Sequence, residues 1–212
     1  MIKILAVDTA TEACSVALLL GDEIIEEFQI APRQHTQLIL PFIEKILKKT
    51  NLKLNELDAL AFGRGPGSFM GVRLAASVIQ GLAFGANLPI ISISSLHALA
   101  QDAFDKSGET RILAGWDARM KAIYWNQFSE NLRPLFVQDQ LSDPQAIPLD
   151  AAVAAGNAWG VYADQLAGKI KIIEGCYPRA SCVAKLALEQ FHKKEFTPLH
   201  EALPNYVRNK VA

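Results

Sequence analysis

The chain has 212 residues, half of them hydrophobic and a fifth charged, with 21 basic residues against 22 acidic ones for a net charge of −1. That balance describes a globular protein of one compact unit or two lobes of about 100 residues each. It excludes a free-standing nucleic-acid binder, which carries a basic excess on a face or tail. The cysteines, Cys14, Cys176 and Cys182, have neither C-x-x-C nor zinc-type spacing, which fits a reducing cytoplasm. No run reaches the roughly 18 apolar residues of a bilayer span. The N-terminus enters a strand pattern directly, so neither secretion nor membrane contact is expected.

Residues 2–8, 14–20 and 23–30 are short apolar or alternating runs, the last two joined by Gly21-Asp22. They predict three consecutive antiparallel strands. Residues 36–50 have helical spacing with lysines in the last turn, and Pro41 is expected to bend or break that helix. A buried strand at 58–62, a helix from about 69 to 84 ended by Gly85, a strand at 89–94 and a helix at 95–104 follow. The order β-β-β-α-β-α-β-α predicts a mixed sheet flanked by helices.

The second half repeats this opening. "ILAGWDARMKAIYWNQF", residues 112–128, has the layout of "ILAVDTATEACSVALLL": a strand ending in Asp, a polar turn and a second strand. Further strands are expected at 132–138, 151–156 and 169–173, and helices at 158–166 and 179–191. The tail is expected to pack back through Leu203 and Tyr206. An internal duplication divides the chain near Ser107-Gly108 into lobes 1–107 and 108–212. Chance similarity of two short peptides is the alternative.

Asp8 at a strand end, followed by Thr9, Thr11 and Ser15, gathers a carboxylate, hydroxyls and backbone N–H groups. In the duplicated folds of the actin, sugar-kinase and chaperone-ATPase superfamily such a hairpin turn holds a nucleotide phosphate and its metal. Those turns usually contain a glycine, whereas Ala10 stands here. Two readings are therefore open: a vestigial phosphate turn, or a strand-end Asp satisfied by turn N–H groups.

The stretch "GRGPGSFMGVRLAASVIQGLAFG", residues 63–85, fails both familiar phosphate templates. G-x-G-x-x-G from Gly63 needs glycine at Ser68, and no Lys supports a Walker-type loop. What remains is a Pro66-Gly67 turn with Ser68 as an N-cap launching a helix. Arg64, Ser68 and Arg73 are candidate anion contacts, with ordinary surface or interface hydrogen bonds as the alternative. His35, His97, His192 and His200 lack ligand partners at helical spacing, so no metal site is expected. A serine hydrolase built on Ser68 lacks an assignable base.

At about 100° per residue, Val72, Leu74, Ala75, Ala76, Val78, Ile79, Leu82 and Ala83 sweep roughly 200° of their helix. Leu38, Ile39, Leu40, Phe42, Ile43, Ile46 and Leu47 cover a similar arc of the preceding one. Such arcs exceed what one sheet covers. They imply mutual burial within the lobe or a patch for another chain. On the second reading Leu38, Ile39, Phe42, Ile46, Val72, Ala75, Ala76, Val78, Ile79 and Leu82 form a partner interface.

"ILAVDTATEACSVALL", "RQHTQLILPFIEKIL", "LDALAFGRGPGSFMGVRLAASVIQGLA", "SSLHALA", "DARMKAIYW" and the closing "PNYVR" together resemble the bacterial TsaB (YeaZ) family, in order and over nearly the whole chain. The resemblance implies an α/β, actin-like (ribonuclease H-like) duplicated fold with a reduced second lobe. It implies the smaller, non-catalytic relative of TsaD, required with TsaD and the ATPase TsaE for N6-threonylcarbamoyladenosine at position 37 of tRNAs reading ANN codons. A separate enzyme supplies threonylcarbamoyl-adenylate. ATP and a metal would be used by those partners and no cofactor held by this chain alone, and tRNA would be met only through the complex.

The family pairs with TsaD, or with itself when alone, through the two helices of the N-terminal lobe. TsaD-type proteins carry an H-x-x-x-H metal pair after the segment matching "SISSLHALA", where this chain has only His97, with Ser95 and Leu99 around it. Met70 stands where the family usually has Thr, and Ala122-Ile123 where Glu-Val is common. Two other classes remain open alternatives: a phosphotransferase using Asp8 and Asp117, and a peptidase.

Overall fold

The computed structural model describes residues 1–208. The first half runs β1 (Lys3–Asp8), β2 (Ala13–Leu20), β3 (Glu23–Ile30), α1 (His35–Thr50), β4 (Ala59–Gly63), α2 (Phe69–Ala86), β5 (Ile90–Ile93) and α3 (Ser95–Ser107). The second runs β6 (Ile112–Asp117), β7 (Ile123–Phe128), β8 (Gln140–Ser142), β9 (Val153–Ala155), α4 (Ala158–Val161), β10 (Ile172–Ile173) and α5 (Ala180–Lys193). One sheet has the order β3-β2-β1-β4-β5; the other, read from its far edge, has β8-β7-β6-β9-β10. In both, the first three strands are antiparallel and the remaining two join in parallel. This is the duplication expected from the repeated opening, in the actin-like arrangement that the family resemblance implies.

The chain forms two compact units, residues 1–95 with 179–205 and residues 96–178 with 206–208. Neither unit is one continuous stretch of chain. Leu96, Leu99, Ala100 and Ala103 of α3 belong to the core built on β6 and β9. Conversely, α5 lies on β1, β2 and β4.

In the first unit, β1, β2 and β4 are buried along nearly their whole length, as central strands covered on both faces must be. Leu5, Val7, Val16, Leu18, Leu60 and Phe62 meet Ile39, Ile43 and Ile46 of α1 and Ala75, Ala76 and Ile79 of α2. Alternation along the strands turns Ile4 and Ala6 to the opposite face, on which α5 packs. The orphan N–H groups at the start of α5 are met from outside the helix. Glu26 Oε1 accepts from Ser181 N at 2.9 Å and Ser15 Oγ from Ala180 N at 2.9 Å. Arg179 completes the joint by donating its Nε to Glu26 Oε2 at 2.9 Å.

In the second unit one face of the sheet carries α3. The other carries Trp159, which is fully buried with Leu113, Ile123, Trp125 and Tyr162. The unit is reduced as expected. A 3₁₀ turn at Pro144–Ala146 stands where α1 has no second copy, and α4 has four residues against the 18 of α2.

Several local expectations are corrected. α1 runs unbroken through Pro41, because the carbonyl it leaves unpaired belongs to the exposed Gln37 and faces water. α2 ends at Asn87, whose left-handed φ of 53° makes the cap, instead of at Gly85. Residues 132–138 form no strand. They run irregularly beside β7, with Leu135 N donating to Gln127 O at 2.7 Å, and the third strand of that sheet is β8. The helix expected at 158–166 is α4 followed by a 3₁₀ turn. The tail packs through Ala202 and Pro204, while Leu203 and Tyr206 are half exposed. α2 also meets the length and apolarity of a bilayer span, with a mean hydropathy of 1.4, although a third of it is buried in its own unit.

Candidate functional site: a sealed turn and an uncovered helix face

The turn after β1 is closed. Asp8, Thr9 and Ala10 are fully buried and Thr11 is 5% exposed. Asp8 Oδ1 accepts from Ala10 N at 2.8 Å and Oδ2 from Ser95 Oγ at 2.8 Å. Burial pushes the Asp8 carboxyl up to about 7, with the bonds from Ala10 and Ser95 holding it down in part. Thr9 Oγ1 donates to Gly71 O at 2.7 Å, and Thr11 Oγ1 accepts from Ala13 N at 3.2 Å. Every hydroxyl that could have met a phosphate is thus engaged with the chain itself.

The glycine-rich loop is the seal. A Cβ on Gly63 would stand 1.7 Å from Asp8 Oδ2, one on Gly67 2.2 Å from Ala10 O, and one on Gly71 1.9 Å from Thr9 O. Ser68 N donates to Ala10 O at 2.6 Å, fastening loop to turn. Gly67 and Gly71 serve close approach of backbone to backbone, and Gly63 leaves space for the Asp8 carboxylate. Ser68 Oγ accepts from Gly71 N and so caps α2. Arg73 folds back, donating Nη1 to Phe69 O at 2.8 Å with its guanidinium 3.4 Å above the Phe69 ring. Arg64 Nε is buried without a hydrogen-bond partner, and the Arg64 backbone bonds Ile93 O and Asn205 N. Ser68 and Arg73 thus have local roles on α2, and Arg64 is held through its backbone.

The ten residues expected at a partner interface divide in two. Ile39, Ile46, Val72, Ala75, Ala76 and Ile79 are at most 4% exposed and lie in the unit's own core, where the sheet has already claimed that half of the arc. Leu38, Phe42, Val78 and Leu82 are partly exposed at its margin. The more exposed apolar side chains are others: Leu40 on α1, and Phe69, Met70 and Phe84 on α2, the last 78% exposed. Gly81 and Gly85 lie on the same side of α2 as Phe84, with open space where a Cβ would point. Phe84 was legible in the sequence as an apolar residue outside the core arc.

The second turn of the duplication, which the sequence reading singled out through Asp117, is bonded within its own unit. Asp117, one end of β6, accepts from Tyr162 OH at 2.7 Å and Arg119 N at 2.8 Å, and its Oδ2 pairs with Arg119 Nη1 at 3.2 Å. Burial, then the bond to Asp117, raises the Tyr162 hydroxyl above its ordinary range, so it stays a donor. His97 stacks on Phe128 at 5.0 Å in the second unit, and four residues on stands Gln101, donating to Asp105. Among the described residues no three His, Cys, Asp or Glu side chains are grouped as metal ligands would be.

Comparison with known proteins agrees with this architecture. The family model for TsaD, the tRNA N6-adenosine threonylcarbamoyltransferase, matches residues 23–205. The tRNA threonylcarbamoyladenosine biosynthesis protein TsaB of Escherichia coli K12 is 38% identical, over 99% of this chain and 96% of its own. That of Haemophilus influenzae is 40% identical, over 99% and 95%. The solved structure of YeaZ from Pseudomonas aeruginosa superposes with a TM-score of 0.92 at 34% identity, covering 97% of this chain and all of that one. On fold, extent and sequence together, the chain belongs to the TsaB (YeaZ) family of tRNA threonylcarbamoyladenosine biosynthesis proteins, within the wider TsaD family.

Proposed function

We propose that this chain is a cytoplasmic, non-catalytic subunit that binds a TsaD-like transferase and holds it competent to place the threonylcarbamoyl group on tRNA. The observation that carries this reading is the contrast between the sealed turn and the uncovered helix. The turn where relatives of this fold bind nucleotide is filled by the chain's own backbone, while α2 leaves Phe84, Met70 and the flat Gly81–Gly85 strip uncovered. An apolar helix face of that kind suits another helix, and a charge-poor strip of small residues lets one approach closely. A TsaE-like ATPase would join the pair, ATP and metal being used by those partners. Alone, the same face would pair two copies of this chain.

The phosphotransferase reading requires Asp8 to reach a phosphate, and both of its carboxyl oxygens face inward under the glycine loop. The peptidase reading requires a base to activate Ser68, whose hydroxyl accepts from Gly71 N as a helix cap. The test is a reconstituted modification assay with a TsaD-like protein, a TsaE-like ATPase, threonylcarbamoyl-adenylate and tRNA, run with and without this chain. Modified tRNA should form only when the chain is present. Undiminished product without it would overturn the proposal.

A further inference from the structure

The duplication sets two turns at equivalent places, after β1 and after β6, and their surfaces are opposite in character. The first is sealed. The second, between Asp117 and Ala122, is open, and its three central residues Arg119, Met120 and Lys121 have φ of 61°, 54° and 57°. Three consecutive non-glycine residues in the left-handed region are rare. Local bonds hold them there: Asp117 Oδ1 accepts from Arg119 N at 2.8 Å, Ala122 O from Ala118 N at 3.0 Å and Arg119 O from Ala122 N at 3.1 Å. Their side chains stand outward, Arg119 being 87% and Met120 74% exposed, with Lys121 exposed beside them.

Arg208 adds a third cation. It donates Nη2 to Arg119 O at 3.3 Å and Nη1 to Met120 Sδ at 3.1 Å, which ties it to the turn. The carboxylate that these bonds bring into the cluster, Asp117, is 5% exposed and already engaged by Tyr162, the Arg119 N–H and the Arg119 guanidinium. A surplus of cations is thus fixed on one exposed turn of a chain whose net charge is −1.

We propose that Arg119, Lys121 and Arg208 form a contact for the phosphate backbone of tRNA. The inference rests on the chain acting in a tRNA-modifying complex, and it places part of the tRNA directly on this subunit. Guanidinium groups held in place match phosphate oxygens, and pre-ordering them lowers the entropic cost of binding. Contacts of this kind position a nucleic acid without reading its sequence, as a subunit serving several tRNAs requires. A protein partner would want an apolar centre, and this turn offers only Met120. Three such cations are too few to bind tRNA alone, in keeping with the chain's neutral balance; they add to what the partner supplies.

The test uses the assembled complex of this chain with a TsaD-like protein. Binding of a tRNA transcript is measured by fluorescence anisotropy across about 50 to 200 mM salt, for wild type, Arg119→Glu/Lys121→Glu and Arg208→Glu. The double variant should bind tRNA at least about tenfold more weakly, with the log–log salt slope smaller by roughly two units, one for each phosphate-binding cation replaced. Its melting temperature and its affinity for the TsaD-like protein should be unchanged. Equal tRNA affinity in variant and wild type, with the complex intact, overturns the proposal. So does loss of the protein complex instead of tRNA binding, which would make the patch a protein contact. Should the wild-type complex not form, or not bind tRNA at all, the functional reading beneath the proposal fails first.

Discussion

Asp8 is held where a carboxylate is costly to ionise, and that cost has a measurable pH signature. Its folded value of about 7 lies above the ordinary 3.8, so between these values the unfolded chain gives up a proton that the folded chain keeps. Stability is therefore greatest below about pH 4 for this group and declines as pH rises towards 7. Asp8→Asn keeps the shape without the charge. Urea unfolding at several pH values should show the variant gaining on wild type between pH 4 and 7, by up to ~4 kcal/mol. A constant difference across that range would show that Asp8 ionises freely when folded. The glycines above it make a second residue-scale prediction. Gly71→Ala drives a methyl into Thr9 O and should cost about 1–3 kcal/mol in urea unfolding. The sequence displayed Asp8 and the glycines openly but could not say that they face each other, because Ser95, Gly63 and Gly71 are distant from Asp8 along the chain. Ala10 in place of glycine was the one local sign of a closed turn.

At the scale of the element, α2 must satisfy two faces at once. Its core side is fixed by Val72, Ala75 and Ile79, and Ile79→Ala should cost about 2–5 kcal/mol in thermal or denaturant unfolding. Its outer side behaves differently. Gly81→Ala meets nothing within 4 Å and replaces a poor helix former, so it should stabilise the isolated chain by about 0.5–1 kcal/mol. The same methyl stands on the proposed docking strip and should weaken binding to the TsaD-like protein in a titration. A variant that gains stability and keeps full affinity would remove the strip from the interface. Helical counting in the sequence found an arc too wide for one sheet, but counting cannot divide such an arc between core and partner. That is why six of the ten residues first assigned to the interface are core, whereas Phe84 and Met70 carry the exposed face.

For the whole molecule, the repeated strand–Asp–turn–strand opening was enough to anticipate two copies of one topology, and the two strand orders agree. What the repeat could not show is that α3 and α5 each build on the sheet of the other half, since neither helix differs in composition from one that stays at home. Nor could it show Glu26 and Ser15 capping α5, pairings that span 155 and 165 residues of sequence. The short β9 and β10 were overextended, and the third strand of that sheet was placed at 132–138 instead of at β8, for the same reason, their pairing partners being nonlocal. The central claim, that this molecule acts through a docked partner, is tested most directly by Phe84→Glu. Phe84 is 78% exposed, so the substitution should leave the melting temperature of the isolated chain within about one degree. Size-exclusion chromatography with the TsaD-like protein, followed by the modification assay on the same samples, should show the complex and the modified tRNA disappearing together. A folded Phe84→Glu chain that still forms the complex and supports full modification would contradict the account.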